Sequence, residues 1–158
     1  MSVFTASGVK VSIGPAIVAG NEPEDITAFE GLTYVLIGEV EDLGEFGDSV
    51  GVATFSSLSD ARVRKAKTVF DAGTFDMVVG ADNTDPGQQA LAEAVYDYRD
   101  FAFRVEYTDK LTTGGTNTIE YFFAKVMGGT RNVGNVENII RRTYNIGINS
   151  PITLDPAT

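Results

Sequence analysis

Residues 85–107, DPGQQALAEAVYDYRDFAFRVEY, decide the fold, because a helix start and a strand follow each other there without a linker. Asp85 is a favoured N-cap residue, and Pro86 suits the first helical position. Gln88, three residues after the cap, completes a variant of the capping box. The spacing therefore predicts a helix from about Pro86 to about Tyr98.

One face of this helix is apolar, with a stripe at i, i+3, i+4 and i+7 that we expect to pack on a sheet. The stripe consists of Leu91, Ala94, Val95 and Tyr98. The next segment, 101–107, alternates between large apolar residues on one face and alanine or charged residues on the other. This combination predicts that the helix and the strand share one core.

Further strand patterns lie on both sides of this stretch, at 9–13, 33–40, 50–56, 62–71, 74–80, 118–127 and 136–148. The run 33–40 is apolar on both faces, which favours a central strand. We therefore predict a single domain, residues 1–158, that is mainly β. The expected architecture is an antiparallel β-sandwich or half-barrel with one packed α-helix and a loose tail at 150–158.

The composition removes most catalytic chemistry. The chain has no His and no Cys, which excludes catalytic triads, thiolate nucleophiles and zinc sites built on either residue. Its 22 acidic residues include no pair that spacing selects for glycoside chemistry. We therefore predict a protein that is not an enzyme, with no catalytic, cofactor-binding or metal-binding residues.

The net charge of −10, from 12 basic and 22 acidic residues, argues against tight nucleic-acid binding. Such binding needs Lys and Arg to displace counterions from phosphates. Apolar runs such as Tyr34–Ile37 fall far below the roughly 20 residues of a spanning helix. We therefore expect no membrane partner.

Two segments concentrate charge. The first, residues 39–49, is predicted to be an acidic loop that carries Glu39, Glu41, Asp42, Glu45 and Asp48. The second, residues 62–67, is a basic stretch that carries Arg62, Arg64, Lys65 and Lys67. The acidic spacing does not match a calcium-binding loop. The basic stretch fits either protection of a strand edge or contact with a neighbouring subunit.

The run from Lys67 to the C-terminus resembles the major tail tube proteins of long-tailed, λ-like bacteriophages. The resemblance rests on TVFDAGTF at 68–75, DPGQQAL at 85–91, the strand at 101–107, Ala124-Lys125-Val126 and a turn near Gly134. It implies a ring-forming fold whose hexameric rings stack into a negatively charged conduit for DNA during ejection. It also implies a location in the phage tail and assembly in the cytoplasm of the bacterial host.

The resemblance further implies partners. These are other copies of the chain, a tape measure protein, a tail terminator, and baseplate or tip proteins, with double-stranded DNA passing without specific binding. The family often uses a long loop to reach a neighbour. We therefore hypothesise that the acidic loop is mobile in the monomer and becomes ordered against the basic stretch of a neighbouring subunit.

Two alternatives remain open from the sequence. A tube protein of a contractile injection or secretion system would share the fold and pass protein. A monomeric β-sandwich binding module would bind a ligand without assembling. The state of assembly separates the tube proteins from the binding module.

Overall fold

The computed structural model describes residues 3–158 and confirms a mainly β chain with antiparallel pairing. It contains two helices, α1 Ile26–Glu30 and α2 Pro86–Ala94. The strands are β1 Lys10–Ala16, β2 Val35–Ile37, β3 Val40–Asp42, β4 Ser49–Ser56, β5 Val63–Asp71, β6 Thr74–Gly80, β7 Phe101–Glu106, β8 Ile119–Asn132, β9 Arg141–Ile148 and β10 Thr153–Asp155.

Eight strands form one curled sheet in the order β2-β1-β7-β8-β9-β6-β3, with β10 paired to β8. The two edge strands, β2 and β3, are joined only by Gly38 and Glu39. Two linking residues span at most about 11 Å between the flanking Cα atoms. The sheet must therefore curl until its edges approach each other, which produces the predicted half-barrel.

Helix α2 fills the concave face of this half-barrel. Leu91 and Ala94 are buried in the core as predicted, and Val95 is half-buried against it. The prediction for Tyr98 is wrong, because its side chain is 93% exposed. The helix ends at Ala94 and the chain then turns, so the helical spacing does not continue as far as Tyr98.

Gln88 connects the two sides of the half-barrel where the edges of the sheet approach each other. Its side chain is 1% exposed and donates to the carbonyl oxygens of Gly38 (3.1 Å) and Gly80 (2.8 Å), which follow β2 and end β6. Asp85 caps the helix as predicted, since its Oδ2 accepts from the Gln88 amide at 3.0 Å. The Gln88 side chain departs from the capping box, because its Oε1 accepts from the amide of Asp82.

A short helix that the sequence did not predict covers the opposite face of the sheet. The Phe29 ring on α1 stacks on Tyr121 of β8, with 5.5 Å between the centroids. The Tyr34 hydroxyl donates to the Phe29 carbonyl at 2.9 Å, and burial raises the pKa of Tyr34. The guanidinium of Arg104 lies 5.0 Å from the Tyr34 ring centroid. The sheet is thus covered by one helix on each face.

Three predicted segments differ in the structure. The run 33–40 was expected to be one central strand, but it contains the edge strand β2 and the first residue of the other edge strand, β3, because Gly38 and Glu39 turn the chain between them. The run 136–148 contains strand only from Arg141 onward, after an exposed loop at 133–140. The tail at 150–158, which was expected to be loose, contains β10. This strand pairs with residues 119–121 of β8, whereas β9 pairs with residues 124–132 of the same strand.

Candidate assembly surface

Strands β4 and β5 form a separate two-stranded sheet, residues 49–71, which we call the arm. We call the rest of the chain the body. Every arm residue is exposed except Val50 and Ser57, which are half-buried. The arm extends past the Thr74 end of β6, since Ser49 pairs with Asp71 there. It is therefore a projecting hairpin that does not contribute to the core.

Both faces of the arm carry apolar side chains beside basic ones. On one face, Val52 lies opposite Lys67. On the other, Phe55, 66% exposed, lies opposite Arg64. Within β5, Arg64 therefore lies on one face and both lysines lie on the other, whereas Arg62 precedes the strand. Phe70, 70% exposed, adds apolar area at the base of the arm.

Charge divides along the same line. The arm holds four basic and two acidic residues, a net charge of +2. The body holds eight basic and 20 acidic residues, a net charge of −12. Opposite signs on the arm and the body make the arm of one copy complementary to the body of another.

The acidic segment, residues 39–49, is folded against the rest of the body, whereas the sequence predicts a free loop. Residues Val40–Asp42 form β3 on β6. The Phe46 ring packs on Phe75 and Phe122, at centroid distances of 5.1 and 5.7 Å. The amide of Gly47 donates to the carbonyl of Ala72 at 3.2 Å. The segment is thus anchored within the single chain.

The structure does not bring the acidic segment and the basic stretch together in one chain. Glu41 forms an ion pair with Arg141 of β9. Arg64 forms one with Asp60 within the arm. The other two ion pairs among the described residues join Arg99 to Asp97 and Lys125 to Asp100. Contact between the two charged segments of neighbouring copies therefore remains a prediction.

The exposed apolar residues of the arm and of the 133–140 loop were not predicted from the sequence. Val136 and Ile140 were expected to share one face of the last strand, but they lie exposed in that loop. The signal that could have revealed them was the cluster Gly134, Asn135 and Asn138, residues that favour turns. Gly134 indeed has a positive φ of 65°.

The described residues show few features of a catalytic or ligand-binding site. Across residues 3–158, no group of three or more acidic, His or Cys side chains is arranged to hold a metal ion. A groove of about 580 Å³ lies at the base of the arm, beside Phe70, Asp71 and Pro151. Neither helix of the described chain is long and apolar enough to cross a membrane.

Comparison with known proteins shows likeness of fold at low sequence identity. No protein-family model and no curated protein matches the chain. A chain from the cryo-EM structure of the anti-feeding prophage (AFP) baseplate, 6-fold symmetrised, has a TM-score of 0.66 and 10% identity over 99% of this chain and 98% of that one. A chain of the SPP1 tail tube, solved by solid-state NMR and cryo-EM, has a TM-score of 0.63 and 14% identity over 94% of this chain and 76% of that one. The chain therefore has the fold seen in the SPP1 tail tube and in the AFP baseplate.

Proposed function

We propose that the chain is a structural subunit of a phage tail tube, in which six copies form a ring and rings stack. The observation that carries this proposal is the arm. An isolated two-stranded hairpin is marginally stable in water, and exposed strand edges tend to pair or be covered. The arm's apolar side chains have no core to enter within their own chain, so another subunit is their natural partner.

The two similar folds support this proposal. One belongs to a tail tube and the other to a baseplate with sixfold symmetry. Both are assemblies of repeated chains, and neither name refers to catalysis. Together with a chain that lacks His and Cys, they favour a structural role over an enzymatic one.

Charge supplies the next step. We propose that the basic stretch on the arm meets the acidic segment of a neighbouring copy. Each exposed ion pair would contribute only about 0–1 kcal/mol. Repetition around a ring and along a stack multiplies that contribution, so the pairs would set register and assembly rate more than affinity. Because the acidic segment is anchored by Phe46, the neighbour would meet a formed surface.

The acidic net charge of the chain also supports a conduit for DNA. A ring of six would carry a formal charge of about −60, since each chain carries −10. A wall with an excess of acidic groups gives phosphates few cations on which to settle, so DNA would slide through it. In this proposal the tube belongs to the virion of a long-tailed phage and assembles in the host cytoplasm. Its partners are a tape measure protein, a terminator, and baseplate or tip proteins.

A second candidate is a tube subunit of an injection machine that passes protein. The likeness to the AFP baseplate chain favours it, with a TM-score as high as that of the tail tube chain. The two candidates share the assembly and differ in what passes through it. Passage of double-stranded DNA through assembled tubes separates them.

The experiment is electron microscopy of the purified chain after it has been concentrated and left to assemble. The proposal predicts rings or tubes with sixfold symmetry and a central channel. A chain that stays monomeric at high concentration, as judged by sedimentation, supports the monomeric binding module and contradicts the proposal.

A further inference from the structure

Two arginines lie directly opposite each other at the end of the body away from the arm. Arg131 on β8 is the register partner of Arg142 on β9. Like charges in directly opposed positions repel. No other strand pair within the described part of the chain places two like charges in register. In a chain with almost two acids for each base, this pair is an exception.

Neither arginine is neutralised by its own chain. The four ion pairs found among residues 3–158 include neither of them. Arg142 is held in place, since its Nη2 donates to Asn83 Oδ1 at 2.9 Å. Its Nε is buried and has no acceptor among the described residues. A buried N–H group without an acceptor is costly, and an anionic acceptor removes that cost.

A small recess is lined by both arginines. It has a volume of about 50 Å³ and is lined also by Val95, Tyr96 and Thr130. A water molecule needs roughly 10–15 Å³ of such space, so the recess has room for a few waters or for one small polar group. A carboxylate on a flexible side chain fits such a recess. The phosphates of a DNA duplex lie on a rigid surface, which does not fit into this recess.

The surroundings of the pair favour a protein partner. The loop at 133–140, which joins β8 to β9 just beyond the arginines, exposes Val133, Val136 and Ile139. Tyr96, which lines the recess, is also exposed, and arginine and tyrosine are both enriched in the cores of protein interfaces. The body carries 20 acidic residues, so a second copy brings many carboxylates.

The position of the pair indicates which surface of that copy it meets. Arg142 is the register partner of Val79 near the Gly80 end of β6, whereas the arm leaves from the Thr74 end. The arginines therefore lie near one end of β6, and the arm leaves from its other end. In a head-to-tail stack, the arginine end of one copy faces the arm end of the next, where Asp48 and Asp71 lie at the base of the arm.

We infer that Arg131 and Arg142 form a clamp for one carboxylate, which is supplied by a second copy of this chain stacked head to tail. The inference rests on the proposed function and adds to it the residues of one stacking contact. The two arginines lie outside both the acidic segment and the basic stretch, so they can be substituted without changing either segment.

Separate substitutions test the clamp. We compare the assembly rate of the wild-type chain with those of Arg131→Gln, Arg131→Lys, Arg142→Gln and the double Arg131→Gln/Arg142→Gln variant, by light scattering and electron microscopy. Arg99→Gln is the matched control, because Arg99 is exposed and paired with Asp97. If Arg142→Gln weakens the fold through loss of its hydrogen bond to Asn83, Arg131→Gln still tests the clamp. Arg131 is exposed, and its substitution leaves that hydrogen bond in place.

The clamp predicts that the double variant assembles at least about tenfold more slowly. Arg131→Lys should recover part of the rate, and Arg99→Gln should match wild type. Wild-type rates for both Arg131→Gln and the double variant overturn the clamp and leave the tube proposal intact. A wild-type chain that never assembles overturns both proposals.

Discussion

The body and the arm are built on opposite principles, although one chain forms both. In the body, side chains such as Met77, Leu91 and Phe103 are completely buried. In the arm, Phe55 and Phe70 are mostly exposed, although they are equally apolar. Burial of apolar area is the dominant favourable contribution to folding, so the body accounts for the stability of the monomer. The arm leaves the apolar side chains of Phe55 and Phe70 available for another chain.

This difference separates folding from assembly. Substitutions in the body should change the free energy of unfolding, whereas substitutions in the arm should leave it nearly unchanged and alter assembly. Charge follows the same division, with +2 on the arm and −12 on the body.

The largest expected effect on the body comes from Leu91→Ala. Leu91 is fully buried between α2 and the sheet, so the change leaves a cavity in the core. We expect a loss of about 2–5 kcal/mol in the free energy of unfolding, measured with urea on the monomer. The matched arm variant, Val69→Ala, should change it by less than about 0.5 kcal/mol. Equal losses would remove the distinction between the two regions.

A smaller loss is expected from Gln88→Ala. The Gln88 amide bridges Gly38 and Gly80 where the edges of the sheet approach, and its removal takes this donor away from two half-buried carbonyl groups. We expect a loss of about 1–3 kcal/mol in urea unfolding. Gln89→Ala is the control, because Gln89 is an exposed neighbour on the same helix. If both variants unfold alike, Gln88 does not hold the barrel closed.

In the arm, replacing Arg62, Arg64, Lys65 and Lys67 together by Gln should leave the free energy of unfolding within about 0.5 kcal/mol of wild type. Tube formation should become slower, and added salt should slow the wild-type chain in the same direction. Light scattering during assembly measures both effects. Assembly of the quadruple variant at the wild-type rate would mean that the basic stretch serves only to protect a strand edge.

The smallest effect concerns pH. A hydrogen bond from the Arg99 side chain lowers the pKa of Asp97 from 3.8 to about 2. The ionised form is therefore favoured by folding, and its contribution is present above about pH 4 and is lost as the pH falls through about 2. Asp97→Asn should be slightly less stable than wild type at about pH 6, and the two should converge at about pH 2. A gap that persists in acid would exclude this ion pair as its cause.

Local signals predicted much of the fold. The bounds of β6, Thr74–Gly80, are those that alternation predicts, and both arm strands begin within one residue of expectation. The start of α2 follows from Asp85 and Pro86, since capping depends on neighbouring residues. The end of the helix was missed at Tyr98, because the turn after Ala94 carries neither Gly nor Pro.

Long-range features could not be predicted in this way. The proximity of β2 and β3 depends on the curl of the whole sheet, and the pairing of Arg131 with Arg142 depends on the register of two strands. The apolar residues at 133–140 show no periodicity that separates a solvent-exposed loop from a strand. Candidate contact residues could be listed from charge clusters, but their assignment to neighbouring copies remains a prediction.

In the proposed tube, the arm carries assembly and the body carries folding. The most direct test replaces residues 50–70 with a short Gly-Ser turn and compares this variant with the wild-type chain by urea unfolding and electron microscopy. We expect the variant to keep the wild-type free energy of unfolding and to form no tubes at concentrations where the wild type does. Tubes formed by the armless variant, or a body that unfolds without its arm, would contradict this division between arm and body.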